Sequence, residues 1–203
     1  MSSYEKKENY MIWTDDLNLW RRHPNYFIIQ DSKEYLQGRC MDIGCNIGIL
    51  ACWLHELTDV THITGLDINE MAIYKAREMA IRHGFASRAD FDVVNLVTDD
   101  TSVYNAQYDS MISFHTLEHI YPEDAKAFVS KQFDMLKPGG YCLINIPYDH
   151  AYPDPCHVAF YKEDNLKELY ESVGFMTVKC FKDDRWHEKD LLHGLFQKPH
   201  TAV

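Results

Sequence analysis

No apolar run in this sequence approaches the roughly 18 residues that a bilayer-spanning helix needs, so a membrane span is not expected. None of the six cysteines, Cys40, Cys45, Cys52, Cys142, Cys156 and Cys180, stands in a CxxC pair, which removes the spacing of zinc ribbons and dithiol redox motifs. There is no secretory signal pattern and no short, disulfide-dense layout. The cysteines therefore read as buried thiols, small hydrophobes in a reducing, cytoplasmic setting. Basic residues are in deficit as well: 20 Lys and Arg face 31 Asp and Glu, for a net charge of -11. That balance opposes a broad grip on nucleic acid, because neutralising phosphates takes clustered cations. The stretch Trp20-Arg21-Arg22-His23 reads as a solvated helix end. Internal repeats, low-complexity tracts and linkers are absent too, so residues 1–203 are expected to form one domain.

What is present is a change of texture along the chain. Residues 1–12 are polar and expected to be mobile. Trp13, Leu17 and Trp20 recur at helical spacing, and residues 26–36 read as a second helix stopped by Gly38, so 13–38 form a helical cap. From residue 39 to 196, short apolar runs alternate with amphipathic stretches, the pattern of βα units on a mostly parallel sheet. The runs centre on Cys40-Met41-Asp42-Ile43, His62-Ile63-Thr64-Gly65-Leu66, Phe91-Asp92-Val93-Val94, Ser110-Met111-Ile112-Ser113-Phe114 and Tyr141-Cys142-Leu143-Ile144-Asn145-Ile146. Between them, Leu50, Leu54 and Leu57 share one helical face, as do Ile73, Ala76, Ala80 and Ile81. A further helix opens on Pro122, Glu123 and Asp124 and stops at Lys137-Pro138-Gly139-Gly140. After a helix closed by Gly174, residues 175–181 and 190–196 read as two strands with no helix between them, hence an antiparallel pair. The expected fold is α/β, a three-layer sheet of seven strands, five of them parallel and central, ending in an antiparallel hairpin.

The most informative segment is Met41-Asp42-Ile43-Gly44-Cys45-Asn46-Ile47-Gly48, where the first strand turns into a helix. So tight a turn needs residues that accept positive φ and allow close approach to the backbone, and the helix behind it offers unpaired N–H groups. The dinucleotide pattern GxGxxG would need glycine at positions 44, 46 and 49, and only Gly44 is present, so a nicotinamide-dependent oxidoreductase fits poorly. Asp67 closes the second strand about 20 residues further on, where a carboxylate accepts from ribose hydroxyls. Capping the helix at Glu70 is its alternative role.

The segment resembles motif I of the class I S-adenosylmethionine-dependent methyltransferases, D-x-G-x-G-x-G: Asp42, Gly44 and Gly48 match, and Asn46 stands at the middle glycine. Asn tolerates left-handed backbone better than other non-glycine residues. The resemblance extends over residues 39–196 through Asp67, Asn95-Leu96, the segment from Tyr108 through Glu118-His119, and Leu136-Lys137-Pro138-Gly139-Gly140. It implies a Rossmann-like fold and S-adenosyl-L-methionine as cofactor. Asp42, Gly44, Cys45, Asn46 and Gly48 are then expected at its methionine portion, Asp67 at its ribose, Ile68, Asn95 and Leu96 around its adenine, and Phe114 beside it.

Chemistry is expected after the fourth strand, where His115, Glu118 and His119 cluster, with His157 in a Pro- and Tyr-rich insertion spanning 147–161. Two readings stay open. Metal-free relatives carry Leu-Glu-His widely, and there His119 is the candidate base, with His115 and His157 next; this is the favoured reading. His115-x-x-Glu118-His119 with a distant His157 also resembles the ligand pattern of metal-assisted O-methyltransferases, in which a divalent ion lowers the pKa of the acceptor hydroxyl. The expected function is methyl transfer to a small-molecule acceptor, at a hydroxyl oxygen. The alternatives are metal-assisted 2′-O-methylation of RNA ends and a non-catalytic cofactor-binding protein of the same fold. His187, His193 and His200 have no matching family role and read as surface or strand residues; Trp53 and Trp186 read as packing.

Overall fold

The computed structural model describes residues 21–151, 154–185 and 190–200. The expectations for residues 1–12, for the helix carrying Trp13 to Trp20, and for Trp186 and His187 lie outside the described residues. The first described helix, α1 (Pro24–Asp31), starts on Pro24 and is capped by His23, whose ring nitrogen accepts from the Asn25 amide at 3.2 Å. It is shorter than the sequence suggests: it gives way to a 3₁₀ turn at Lys33–Tyr35, and strand β1 (Gln37–Ile43) has already begun at Gln37. Gly38, at φ 62°, is not a helix stop but a point of close approach, since a Cβ there would run into the carboxylate of Asp109. That carboxylate accepts the neighbouring Arg39 amide at 2.9 Å.

From β1 the chain alternates through α2 (Ile49–Leu57), β2 (Asp59–Asp67), α3 (Glu70–Arg82), β3 (Ala89–Val93) and β4 (Tyr108–Phe114). It continues through α4 (Pro122–Met135), β5 (Leu136–Pro147), α5 (Glu163–Glu171), β6 (Met176–Asp183) and β7 (Leu191–Gln197). Among the described residues the seven strands form one sheet in the order β3-β2-β1-β4-β5-β7-β6. The first five in this order are parallel, as expected, but they occupy one side of the sheet; β7 runs antiparallel to both β5 and β6. Lys137-Pro138-Gly139-Gly140 forms no separate connection. It is the opening of β5, with Leu136 paired to Tyr108 on one side and Gly139 and Gly140 bonded to the Lys198 backbone on the other. Strand partners on both flanks override the local turn preference.

Two apolar layers sandwich the sheet. On one face α1, α2 and α3 bury Ile29, Trp53, Leu54, Ile73 and Ala76 against Ile112, Phe114, Leu143 and Leu195. On the other, α4 and α5 bury Phe128, Val129, Leu166 and Tyr170 against Met41, Met111, Ile144 and Phe196. Ile81, expected inside, is exposed, and Met79 takes its place in the core. Trp53 packs edge-on against Tyr26, a packing role as expected. No helix among the described residues is long and apolar enough to cross a membrane. Strand order reverses between β1 and β4, and in open α/β sheets the crevice outside the carboxyl ends at such a reversal is where ligands bind.

Candidate active site

One wall of that crevice is the turn after β1. The amides of Gly44 and Cys45 both donate to the Leu66 carbonyl, at 2.8 and 3.0 Å, tying the turn to the end of β2. Gly44, Asn46 and Gly48 all take positive φ, at 74°, 46° and 83°. The substitution of Asn46 for glycine therefore keeps the left-handed conformation, and its Oδ1 accepts the Ile47 amide at 2.7 Å. A Cβ on Gly44 would run into Oγ1 of Thr116. Asp67 receives the Asn46 amide on one carboxylate oxygen and the Asn69 amide on the other, each at 2.9 Å. Burial raises its pKa against the effect of those amides. Asp42 is fully buried, and both of its carboxylate oxygens lack a hydrogen-bond partner. Burial and the negative charge of Asp67 push it up to about 8. A buried carboxylate without a donor, beside a glycine turn with no room for a side chain, fits a ligand that brings its own cation, as the α-ammonium of S-adenosylmethionine does.

The remaining cofactor expectations divide. Ile68 follows Asp67 and is half-buried at the crevice edge. Asn95 sits beyond β3 with its side-chain oxygen holding the Val97 amide at 2.9 Å, an Asx-type turn that leaves one lone pair for another donor. Leu96 and Phe114 are core residues on opposite faces of the sheet, 5% and 3% exposed. Cys45 is buried under the turn.

The opposite wall follows β4. His115 leaves the strand at φ 52°, its amide donating to the Asn145 carbonyl at 2.8 Å. Its Nε2 lies 3.4 Å from Asn25 Oδ1, within hydrogen-bond reach, and its Nδ1 lies 3.4 Å from Glu118 Oε1, near but not hydrogen-bonded. A 3₁₀ turn, Leu117–His119, then buries Glu118, whose carboxylate oxygens have no hydrogen-bond partner. The backbone oxygen of Glu118 accepts the amides of Val158 and Ala159, which docks the insertion after β5 onto this turn. His119 Nδ1 lies 3.1 Å from the Cys156 carbonyl. A carbonyl only accepts, so Nδ1 carries the hydrogen and Nε2 is the basic nitrogen. Burial lowers the His119 pKa and outweighs the charge of Glu118. Glu118, His119 and His157 each place one ligand atom within 4.8 Å of the others. Of the four residues grouped in the sequence, the structure brings these three together; His115 stands outside the trio, turned between Glu118 and Asn25.

Sequence reasoning missed the roles of five residues here, Asn25, Asn145, His193, Asp183 and Arg185. Asn25 of α1 accepts from Asn145 Nδ2 at 2.7 Å, tying the helix to β5. His193, placed on a strand as expected, is buried and lies opposite Asn145 in the β5–β7 register. Its Nε2 lies 3.1 Å from Asp183, and burial pushes its pKa down to about 4 despite that carboxylate. Burial alone would raise Asp183, but the side-chain and backbone hydrogen bonds of Arg185 hold it at about 2. The one available signal was a polar residue, Asn145, inside the otherwise apolar run 141–146.

The sequence profile described as a methyltransferase domain matches residues 18–179. A probable S-adenosylmethionine-dependent methyltransferase of Mycolicibacterium smegmatis is 28% identical over 193 residues, covering 87% of this chain and 68% of that protein. The carboxy-S-adenosyl-L-methionine synthase of Aeromonas hydrophila is 31% identical over 111 residues, 54% of this chain and 43% of its own, so the chain spans less than half of that relative. Among solved structures, the 1,6-didemethyltoxoflavin-N1-methyltransferase of Burkholderia thailandensis superposes with a TM-score of 0.71 at 17% identity, over 90% of this chain and 81% of its own, which shows the shared fold. With most of its length matched by that profile, a glycine turn under an orphaned carboxylate and a seven-stranded sheet of this order, the chain belongs to the class I S-adenosylmethionine-dependent methyltransferase family.

Proposed function

We propose that this protein transfers the methyl group of S-adenosylmethionine to a hydroxyl oxygen of a small-molecule acceptor, with His119 as the base. The cofactor supplies a methyl carbon already activated by a sulfonium. What remains for the chain is to align the acceptor and take its proton. Asp42 and the turn from Gly44 to Gly48 hold the methionine portion, Asp67 the ribose, and Ile68 and Asn95 border the adenine. The observation that carries the reading is the His119 tautomer: the Cys156 carbonyl fixes the hydrogen on Nδ1, and burial keeps Nε2 unprotonated at neutral pH. When bound, the cofactor would supply the electrophilic methyl carbon and leave as S-adenosylhomocysteine, and His119 Nε2 would take the hydroxyl proton of the acceptor. The net charge of -11 supports a small acceptor over nucleic acid, as does the Burkholderia thailandensis neighbour, solved with 1,6-didemethyltoxoflavin bound. The test is radiolabelled methyl transfer across phenols, sugars, amines and RNA 3′ ends. Label on hydroxyl compounds, lost in His119→Ala, is the expected result; label confined to amines or to RNA overturns the acceptor assignment.

A second reading rests on the proximity of Glu118, His119 and His157. Two imidazoles and a carboxylate suit a divalent transition ion, and the Nδ1 contact of His119 with a backbone carbonyl is the outer support that metal-bound histidines use. Such an ion would lower the pKa of the acceptor hydroxyl in place of a protein base.

A further inference from the structure

The buried side-chain oxygens that lack a hydrogen-bond partner among the described residues belong to Asp42, Ser113, Glu118 and Asn145. All four lie toward the carboxyl ends of β1, β4 and β5 or in the turn after β4, whereas the unpartnered nitrogens, on Arg39, Trp53, His83 and Gln132, lie elsewhere. This end of the sheet thus gathers unpartnered buried oxygens, and an unmet buried polar group is costly unless a ligand meets it. Asp42 is accounted for by the cofactor. Asn145 is not.

Asn145 is fully buried, and its amide is oriented by donation from Nδ2 to Asn25 at 2.7 Å, which leaves Oδ1 as the orphan atom. Directly opposed residues of an antiparallel pair project to the same face, so His193 stands beside it. The flanking pair Leu143 and Leu195 keeps that face apolar around them. His193 is itself aligned by Asp183, which Arg185 grips through two side-chain nitrogens. Arg185 also reaches Asp31 at the end of α1, so the helix is tied to this wall at both ends. His115, whose amide donates to the Asn145 carbonyl, and Thr116, whose hydroxyl blocks a side chain at Gly44, connect the wall to the cofactor turn. Few polar groups converging on an apolar face, each held by a second residue, are the composition of a recognition site.

We propose that Asn145 Oδ1 anchors a neutral hydrogen-bond donor of the acceptor molecule, a hydroxyl or an amine N–H, in a subsite walled by Asn25 and His193. The proposal rests on the reading of this crevice as the acceptor site. It assigns Asn145 a role in recognition and none in the chemical step.

The probes are matched pairs that differ only in the donor, phenol with anisole and benzyl alcohol with benzyl methyl ether. Their binding is followed by ligand-observed magnetic resonance on the full chain, with and without S-adenosylhomocysteine. The donor member of each pair is expected to bind at least about tenfold more tightly than its ether, since a site built around a hydrogen bond rejects the analogue lacking it. Asn145→Leu should abolish the preference, Asn145→Asp, which keeps an oxygen there, should retain it, and Asn25→Ala should weaken it. Melting curves identify any variant that fails to fold, in which case the Asp and Asn25 variants decide. Equal binding of alcohols and ethers, as when a water permanently fills the subsite, overturns the proposal. So does a preference that survives Asn145→Leu, or binding by neither class. Failure of the methyltransfer reading registers separately, as absence of S-adenosylhomocysteine binding in calorimetry, while the pairs measured without it still test the anchor.

Discussion

The backbone amide of Asn46, at the centre of the turn after β1, donates to the carboxylate of Asp67 at the end of β2 across 2.9 Å. The two segments proposed to hold the cofactor are therefore one hydrogen-bonded unit before any ligand arrives. The carboxylate proposed for the ribose also fixes the left-handed residue of the turn proposed for the methionine portion.

Replacing Asp67 by alanine should weaken S-adenosylhomocysteine binding by about 1.5 to 3 kcal/mol, the range for charge-assisted hydrogen bonds. Asp67→Asn, which retains one oxygen, should lose less. Isothermal calorimetry of both variants checks the order, and unchanged affinity in Asp67→Ala would remove this carboxylate from the cofactor site.

Asp42, held at about 8 by burial and Asp67, is mostly protonated in the free protein at pH 7. A cationic ligand group beside it favours the ionised form, so cofactor binding at pH 7 should release close to one proton and strengthen as pH rises toward about 8. Calorimetry in buffers of different ionisation enthalpy measures the release. Asp42→Asn should abolish it.

Gly44→Ala combines an unfavourable φ of 74° with collision against Thr116 Oγ1, and should destabilise the fold by more than about 1 kcal/mol. Thr116→Ala removes the colliding atom, so the double variant should recover part of the loss and leave the strain. Denaturation midpoints of the four proteins in this cycle give the coupling; strict additivity would mean that the two residues do not meet.

His193 is neutral in the fold and protonates near pH 6.5 once unfolded. The unfolded chain therefore binds the extra proton between these two values, and stability should fall as pH drops from about 6.5 to about 4, by up to about 3 kcal/mol from this group. Urea denaturation of the parent and of His193→Gln across that window checks the sign. The variant should show a shallower dependence.

His119→Ala should lower turnover by roughly 10² to 10⁴ while leaving S-adenosylhomocysteine affinity intact. Chelators should leave the parent unaffected if His119 is the base, and Glu118→Gln should then cost less than His119→Ala. Turnover abolished by chelation and restored by a divalent ion would instead select the Glu118, His119 and His157 trio as a metal site.

The turn after β1 and the strand-end acid that ties it were legible because local rules write them. Positive φ at Gly44, Asn46 and Gly48 and a strand-end acid at Asp67 follow from steric limits that act within a few residues. Gly38 was misread for the complementary reason, and the Lys137-Pro138-Gly139-Gly140 stretch, rightly placed after the helix that ends at Met135, was not read as the opening of β5. Their partners, Asp109 for Gly38 and the Tyr108 and Lys198 backbones for the strand opening, come from distant parts of the chain and override local turn preference. The Asn25, Asn145 and His193 wall joins residues up to 168 positions apart (193 − 25), across pairings that no local pattern encodes.

The place of β7 between β5 and β6 sets an order of events during synthesis. Strand β6 leaves the ribosome first, yet its strand neighbour in the finished sheet is β7, so it has nothing to pair with until β7 follows. The turn after β1, framed by β1, β2 and β4, can close while the wall holding His193 is still unmade. A nascent chain halted between β6 and β7 would carry β5 as a bare edge, open to the strands of other chains.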